Sequence, residues 1–135
     1  MIRTLCTCAE TRKRSRSPEL QLSVRAIPHS TGLAWQKHLA CDLAARGLVI
    51  FSGLARGGVD AAAHHGAITA KGKTVAVFGT GVDVIYPKEN RRLVDQLLAL
   101  GGAIISEFPL NTFAAPKNSP IRNRIIGGIS LACLW

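Results

Sequence analysis

The sequence predicts an α/β fold in which a parallel β-sheet is flanked by helices. Short apolar runs alternate along the chain with amphipathic stretches of ten or more residues, and glycines follow most of the apolar runs. Hydrophobic residues make up 47% of the 135 residues, which is enough to bury a core, and the length suits one domain. Because helices separate the strands, we expect the strands to run parallel.

The first half of the domain is predicted to begin with a strand at residues 20–24. A helix at 32–46 follows, because apolar residues recur along one side of it and Gly47 can end it. The residues expected on that buried side are Leu33, Trp35, Leu39, Leu43 and Ala44. The apolar run 48–52 predicts a buried strand, and the glycine-rich residues 53–58 predict a turn after it.

The second half repeats this alternation. Asp60 belongs to a residue type that caps helices, so it predicts the start of an alanine-rich helix. Pro87 and the glycines at 101–102 bound a later helix in the same way. The remaining predicted elements are a helix at 61–70, a strand at 74–78, a helix at 87–100, a strand at 103–106, a helix at 119–128 and a strand at 131–135.

The chain is basic, with 17 Lys and Arg against 8 Asp and Glu and a formal net charge of +9. Residues 1–25 hold +4 of this charge, and residues 26–135 hold +5. Because residues 26–135 are basic without the N-terminal segment, we expect a polyanionic partner. Nucleic acid is a better candidate for this partner than an acidic membrane.

Residues 1–19 are expected to form a separate, basic, disordered segment, and residues 20–135 to form the domain. We expect no signal peptide, no membrane span and no metal site, because the apolar runs are short and the cysteines are scattered. These cysteines, expected to be reduced thiols of a cytoplasmic protein, are Cys6, Cys8, Cys41 and Cys133.

Three of the predicted strands end in segments that contain Gly, Ser or Thr, at 52–53, 79–81 and 106–108. In parallel sheets, ligands bind beyond the carboxyl ends of the strands, where glycine loops bring backbone N–H groups close to a phosphate. The sequence therefore predicts an anion-binding site at this edge of the sheet.

Two segments contain most of the candidate binding and catalytic residues. In residues 52–64, Arg56 projects a permanent charge from a glycine loop, or it is a solvated loop residue. Asp60 and His64 lie four residues apart, which suits either a pair of catalytic groups or a helix cap with a histidine bonded to it.

The second segment, Arg122-Asn123-Arg124, places two guanidinium groups and an amide at the start of a helix, which suits phosphate and base-edge contacts. Successive residues cannot all face one ligand, so we expect at least one to be structural. Lys117 adds charge just upstream. Glu107 either orders the glycine loops or the arginines through a salt bridge, or it is a free catalytic carboxylate.

Four motifs in this order resemble the DprA (Smf) family of DNA-processing proteins. They are SGLARGGVDAAAH at 52–64, VAVFGTGVDVIYPKEN at 75–90, GGAIISEFPL at 101–110 and SPIRNRIIGGIS at 119–130. The resemblance implies a Rossmann-like domain that binds single-stranded DNA in a basic pocket, dimerises and helps to load the RecA recombinase, without catalytic activity or a cofactor.

The resemblance also implies the residues that bind DNA. By position in the motifs they are Ser52, Gly53, Arg56, Gly57, Gly79, Gly81, Arg122 and Asn123. Lys117 and Arg25 join them as cations expected to neutralise phosphates.

The chain also departs from the family pattern. Ser23-Val24-Arg25 keeps the arginine of a first phosphate loop but not its glycine, and the turn at 56–60 has one glycine more. Ser119 stands where the family usually has a phenylalanine, an aromatic that could stack on a base. The family continues beyond the last apolar run, so we expect a partial domain that is incomplete at its C-terminus.

Two other functions fit the sequence. One is a related Rossmann-like enzyme that binds or hydrolyses a nucleotide, with Glu107 as its acid and base. The other is an inactive fragment of the family that binds nothing specific.

Overall fold

The computed structural model describes residues 21–24, 30–55, 58–130 and 132–134. The basic segment 1–19 and three of the residues predicted to contact DNA, namely Arg25, Arg56 and Gly57, lie outside the described residues.

Five parallel strands form one sheet, and helices connect them. The strands are β1 (Gln21–Val24), β2 (Val49–Ser52), β3 (Thr74–Val77), β4 (Ala103–Ile105) and β5 (Ala132–Leu134). The helices are α1 (Ser30–Ala45), α2 (Val59–Thr69), α3 (Arg91–Ala99) and α4 (Asn118–Ile129), and a 3₁₀ turn (Lys88–Asn90) precedes α3. Every predicted strand and helix is present, with ends that differ by a few residues.

The strand order in the sheet is β4-β3-β2-β1-β5. The chain therefore builds the sheet outward from β1 to β4, and α4 then returns it to pair β5 with the free side of β1. All carboxyl ends lie at one edge of the sheet, as the sequence predicts for an α/β fold.

Helices cover both faces of the sheet. On one face, Ile50 of β2 packs with alanines of α1 and α2, and Ala76 of β3 packs with Leu93 and Leu97 of α3. On the other face, Val49, Phe51 and Val77 pack against Ile126 of α4. Alternate strand residues thus point into two separate layers of core. Helix α4 packs on the second face, and its first turns lie near the carboxyl ends of β2 and β3.

The predicted buried face of α1 is only partly right. Ala44 is buried and Leu43 packs against the core, and Gln36 and Ala40 are buried as well. Trp35, which the sequence predicts on this face, is instead 63% exposed. The reason is the close approach of α1 to α2. A Cβ atom added to Gly66 of α2 would lie only 2.9 Å from the Cβ atom of Ala40, so only small or narrow side chains fit between these helices.

Candidate nucleic-acid interface

A cleft with a volume of about 300 Å³ opens at the carboxyl ends of β2 and β3. Its walls come from the loop after β2, the glycine loop after β3, the loop before α4, and the first two turns of α4. The lining residues are Leu54, Ala55, Phe78, Gly79, Thr80, Tyr86, Ala114, Ala115, Pro116, Ser119 and Arg122. The site thus lies at the edge of the sheet that the sequence predicts for a phosphate ligand.

Arg122 joins two strand ends at this cleft. Its side chain is buried, with 5% of the residue exposed, and Nη1 donates a hydrogen bond to the Val77 carbonyl oxygen at 2.6 Å. The guanidinium group also packs on Gly53, where an added Cβ atom would lie 2.5 Å from its central carbon. Gly53 therefore has to lack a side chain, and a permanent positive charge lines the cleft.

Asn118 joins the start of α4 to the glycine loop after β3. Its Nδ2 donates to the carbonyl oxygen of Gly79 at 2.9 Å, and more weakly to that of Phe113 at 3.4 Å. Asn118 and Arg122 lie four residues apart, so they project from the same side of α4. Asn118 is not among the site residues predicted from the sequence, although its spacing from Arg122 is visible there.

The loop after β3 is fixed by its own polar groups. The Thr80 hydroxyl donates to the Val84 carbonyl at 2.6 Å, and the Ser106 hydroxyl donates to the Thr80 carbonyl at 2.6 Å. Gly81 donates its N–H to the Thr112 carbonyl at 3.0 Å and is buried. Gly79 lines the cleft, whereas Gly81 ties this loop to the next one.

Residue Asp60 does not cap α2, contrary to the sequence prediction. The cap position is Gly58, with a φ of 81° that suits glycine, and Asp60 lies in the first turn of the helix. Its carboxylate accepts hydrogen bonds from the Ser52 hydroxyl at 3.2 Å and from the backbone N–H of Ala55 at 3.0 Å. It therefore fixes the loop after β2, and the Ser52 hydroxyl is directed to this carboxylate.

His64 and Asp60 bind different partners, so they form neither of the two pairings considered from the sequence. The His64 ring is fully buried, with Nε2 2.8 Å from the Gly53 carbonyl oxygen and Nδ1 2.7 Å from the Thr74 hydroxyl. Burial lowers the pKa of His64 below 6.5, which favours the neutral ring. Because a carbonyl oxygen can only accept, Nε2 carries the proton in this ring.

Outside the cleft, the remaining predicted residues lie on or near α4. Lys117 is exposed at the start of the helix, next to Pro116 of the cleft wall, and Asn123 is half-buried beside Arg122. Arg124 points outward and forms a salt bridge with Glu107. This is the ordering role considered for Glu107, and Glu107 is not among the residues that line the cleft.

The described part of the chain offers no group of three or more His, Cys, Asp or Glu side chains that could hold a metal ion. In the same residues, no helix is long and apolar enough to cross a membrane. Cys41 is a free thiol. The residues that line the cleft offer a guanidinium group, hydroxyl groups and apolar side chains.

Solved structures with this fold include two DNA processing proteins. DNA processing protein A (DprA) from Streptococcus pneumoniae has a TM-score of 0.71 and 36% identity, over 84% of this chain and 40% of that protein. DNA processing protein A from Helicobacter pylori, described for its single-stranded DNA binding mode, has a TM-score of 0.74 and 28% identity, over 85% of this chain and 52% of that protein.

Sequence comparison agrees with the structural one. The curated protein Smf of Synechocystis is 44% identical over 107 residues, which are 79% of this chain and 26% of that relative. The chain thus spans about a quarter of the length of this relative. Residues 25–135 match the model of the family called DNA recombination-mediator protein A. With a Rossmann-like sheet and this match over most of its length, the chain belongs to the DNA recombination-mediator protein A family, which includes the proteins named DprA and Smf.

Proposed function

We propose that this domain binds single-stranded DNA at the cleft beyond β2 and β3, and that it acts by binding and not by catalysis. The observation that carries the proposal is the position of Arg122, whose charge lines a cleft built from glycine loops and apolar side chains. Backbone amides and a guanidinium group suit phosphates, while the apolar walls suit bases. The similar H. pylori protein, described as binding single-stranded DNA, supports the same ligand.

Phosphate contacts also require accessible cations around the cleft. Lys117 is exposed next to the cleft wall, and Arg56 and Arg25 are predicted from the sequence to contribute in the same way. The proposed mechanism is electrostatic: these cations neutralise phosphates and release counterions, and the glycine loops fix the backbone of the strand.

Fluorescence anisotropy with a labelled oligothymidine at several salt concentrations tests this proposal. We expect the logarithm of the binding constant to fall linearly with the logarithm of the salt concentration. Lys117→Ala should weaken binding to all sequences alike and reduce the slope by about 0.7, the contribution of one phosphate contact on a single strand.

Arg46→Ala is the matched control, because Arg46 is exposed just before β2, at the opposite edge of the sheet. This variant should bind like the wild type. Salt-independent binding, or a folded wild-type protein that binds no oligonucleotide, would refute the proposal.

The family description as a recombination mediator supports a more specific role in recombination, and we propose that this role serves DNA uptake. We include in the proposal that the bound strand is delivered to the RecA recombinase and that the active form is a homodimer. Sedimentation of the purified chain, alone and with RecA, tests both points: a dimer and a RecA-containing complex are expected, and a monomer that leaves RecA unaltered would contradict them.

A further inference from the structure

We propose that Tyr86 is a base-stacking residue of the cleft, so that one nucleobase of the bound strand lies on its ring. The inference rests on the proposed binding of single-stranded DNA and identifies which side chain contacts a base. Tyr86 lines the cleft, yet 42% of the residue is exposed. An aromatic side chain that is both part of a cleft wall and accessible from solvent can offer a face to a ligand.

The composition of the cleft wall indicates a base in addition to a phosphate. Leu54, Phe78 and Tyr86 contribute apolar surface on one set of loops, and residues 114–116 contribute Ala, Ala and Pro. A phosphate gains nothing from such surface, because it is strongly hydrated. A planar base gains from it, and aromatic side chains are the usual stacking platforms for single-stranded DNA.

The backbone on both sides of Tyr86 is firmly anchored. On the preceding side, the Thr80 hydroxyl bonds to the Val84 carbonyl, and Ile85 packs against the core beneath α3. On the following side, Pro87 is buried and its carbonyl accepts the N–H of Asn90 at 3.1 Å. The ring is therefore carried by a fixed loop, so that binding orders little additional chain.

Charge and stacking are divided between different residues of this cleft. Arg122 supplies a buried positive charge in the wall of the cleft, and Tyr86 supplies a solvent-accessible aromatic ring. Stacking by a neutral ring releases no counterions, so its contribution to affinity does not depend on salt. A stacking residue can thus be distinguished from a phosphate-binding one by experiment.

The experiment compares two oligomers of equal length, oligothymidine and a chain of abasic tetrahydrofuran phosphates, with the wild-type protein and its variants. Tyr86→Ala and Tyr86→Leu should weaken binding to oligothymidine by between about fivefold and a hundredfold, with an unchanged salt slope. Both variants should bind the abasic oligomer like the wild type. Tyr86→Phe, which keeps the ring, should retain the affinity for oligothymidine.

Phe113→Ala is the matched control, because Phe113 is an aromatic residue with 78% exposure that does not line the cleft. It should bind oligothymidine like the wild type. Far-ultraviolet circular dichroism and a thermal melt of each variant establish that it is folded, and Tyr86→Leu keeps apolar bulk if Tyr86→Ala unfolds.

Three results would overturn the inference while leaving DNA binding intact: equal oligothymidine affinity of wild type and Tyr86→Leu, an equal loss on the abasic oligomer, or a large loss in Phe113→Ala alone. A folded wild-type protein that binds neither oligomer would instead refute the proposed function itself, so the two failures are distinguishable.

Discussion

At the scale of single residues, Gln36 is an unusual member of the core. It is fully buried in α1, and neither its Oε1 nor its Nε2 has a hydrogen-bond partner among the described residues. An amide buried in this way loses its bonds to water without replacing them, at a cost of about 1–3 kcal/mol. The position is occupied by a polar side chain of the right length and shape, but not of the right polarity.

Replacing this amide with an apolar group should stabilise the domain. We expect Gln36→Met, which keeps the length of the side chain, to raise the free energy of unfolding by about 1 kcal/mol, measured by urea denaturation. Gln96→Met is the control, because Gln96 is exposed on α3 and its change should stay within about 0.5 kcal/mol. A lower stability of Gln36→Met would contradict this account.

At the scale of elements, the contact between α1 and α2 depends on a glycine. Gly66 lies in α2 against the backbone of α1, where an added Cβ atom would collide with the Lys37 carbonyl oxygen and the Ala40 side chain. Gly127 is also within a helix, α4, but it is exposed, and nothing lies within 4 Å of an added Cβ atom. The two glycines therefore have opposite expectations.

Gly66→Ala should lower the free energy of unfolding by about 1–3 kcal/mol, because α1 has to move away from α2. Gly127→Ala should raise it by up to about 1 kcal/mol, because alanine is the better helix former and meets no neighbour. Thermal and urea unfolding measure both. A stabilising Gly66→Ala would show that the helices separate without cost.

The elements themselves could be predicted from the sequence, because each apolar run is bounded by glycines or prolines that act locally. The position of the site could be predicted for the same reason, since parallel strands bring the turns at Gly53 and Gly79 to one edge. The hydrogen bond from Arg122 to Val77 could not, because it joins residues 45 positions apart and requires α4 to cross behind β3. Trp35 was misplaced because its exposure depends on how closely α2 approaches.

The structure places some of the residues predicted to bind DNA, but it does not test whether they contact DNA. Gly53 and Gly79 are brought together at the cleft with Arg122, whereas the positions of Arg25 and Arg56 lie outside the described residues. Gly81 is predicted from its motif to contact DNA, but its N–H donates a hydrogen bond to the Thr112 carbonyl oxygen. In the structure, Gly81 therefore shapes the loop. Contact of each of these residues with DNA stays a prediction.

At the scale of the whole molecule, one buried histidine joins the site to the core. His64 of α2 lies against the Gly53 carbonyl at the end of β2 and against the Thr74 hydroxyl at the start of β3. The Thr74 hydroxyl is also 2.9 Å from the Ile50 carbonyl oxygen within β2. The ring therefore connects a helix with two strands and supports the loop on which the Arg122 guanidinium packs.

This arrangement makes the stability of the domain depend on pH. Burial lowers the pKa of His64 in the folded state below its ordinary value of 6.5, so below pH 6.5 the unfolded chain takes up a proton that the folded chain does not. The contribution of His64 to the free energy of unfolding is therefore complete above pH 6.5. Below pH 6.5 this contribution falls by up to about 1.4 kcal/mol per pH unit, until His64 is protonated in the folded protein as well. Urea unfolding between pH 7.5 and 5 measures this loss. His64→Gln should remove much of the pH dependence, and His38→Gln, at an exposed position of α1, should retain it. Equal slopes for wild type and His64→Gln would assign the pH dependence to other groups.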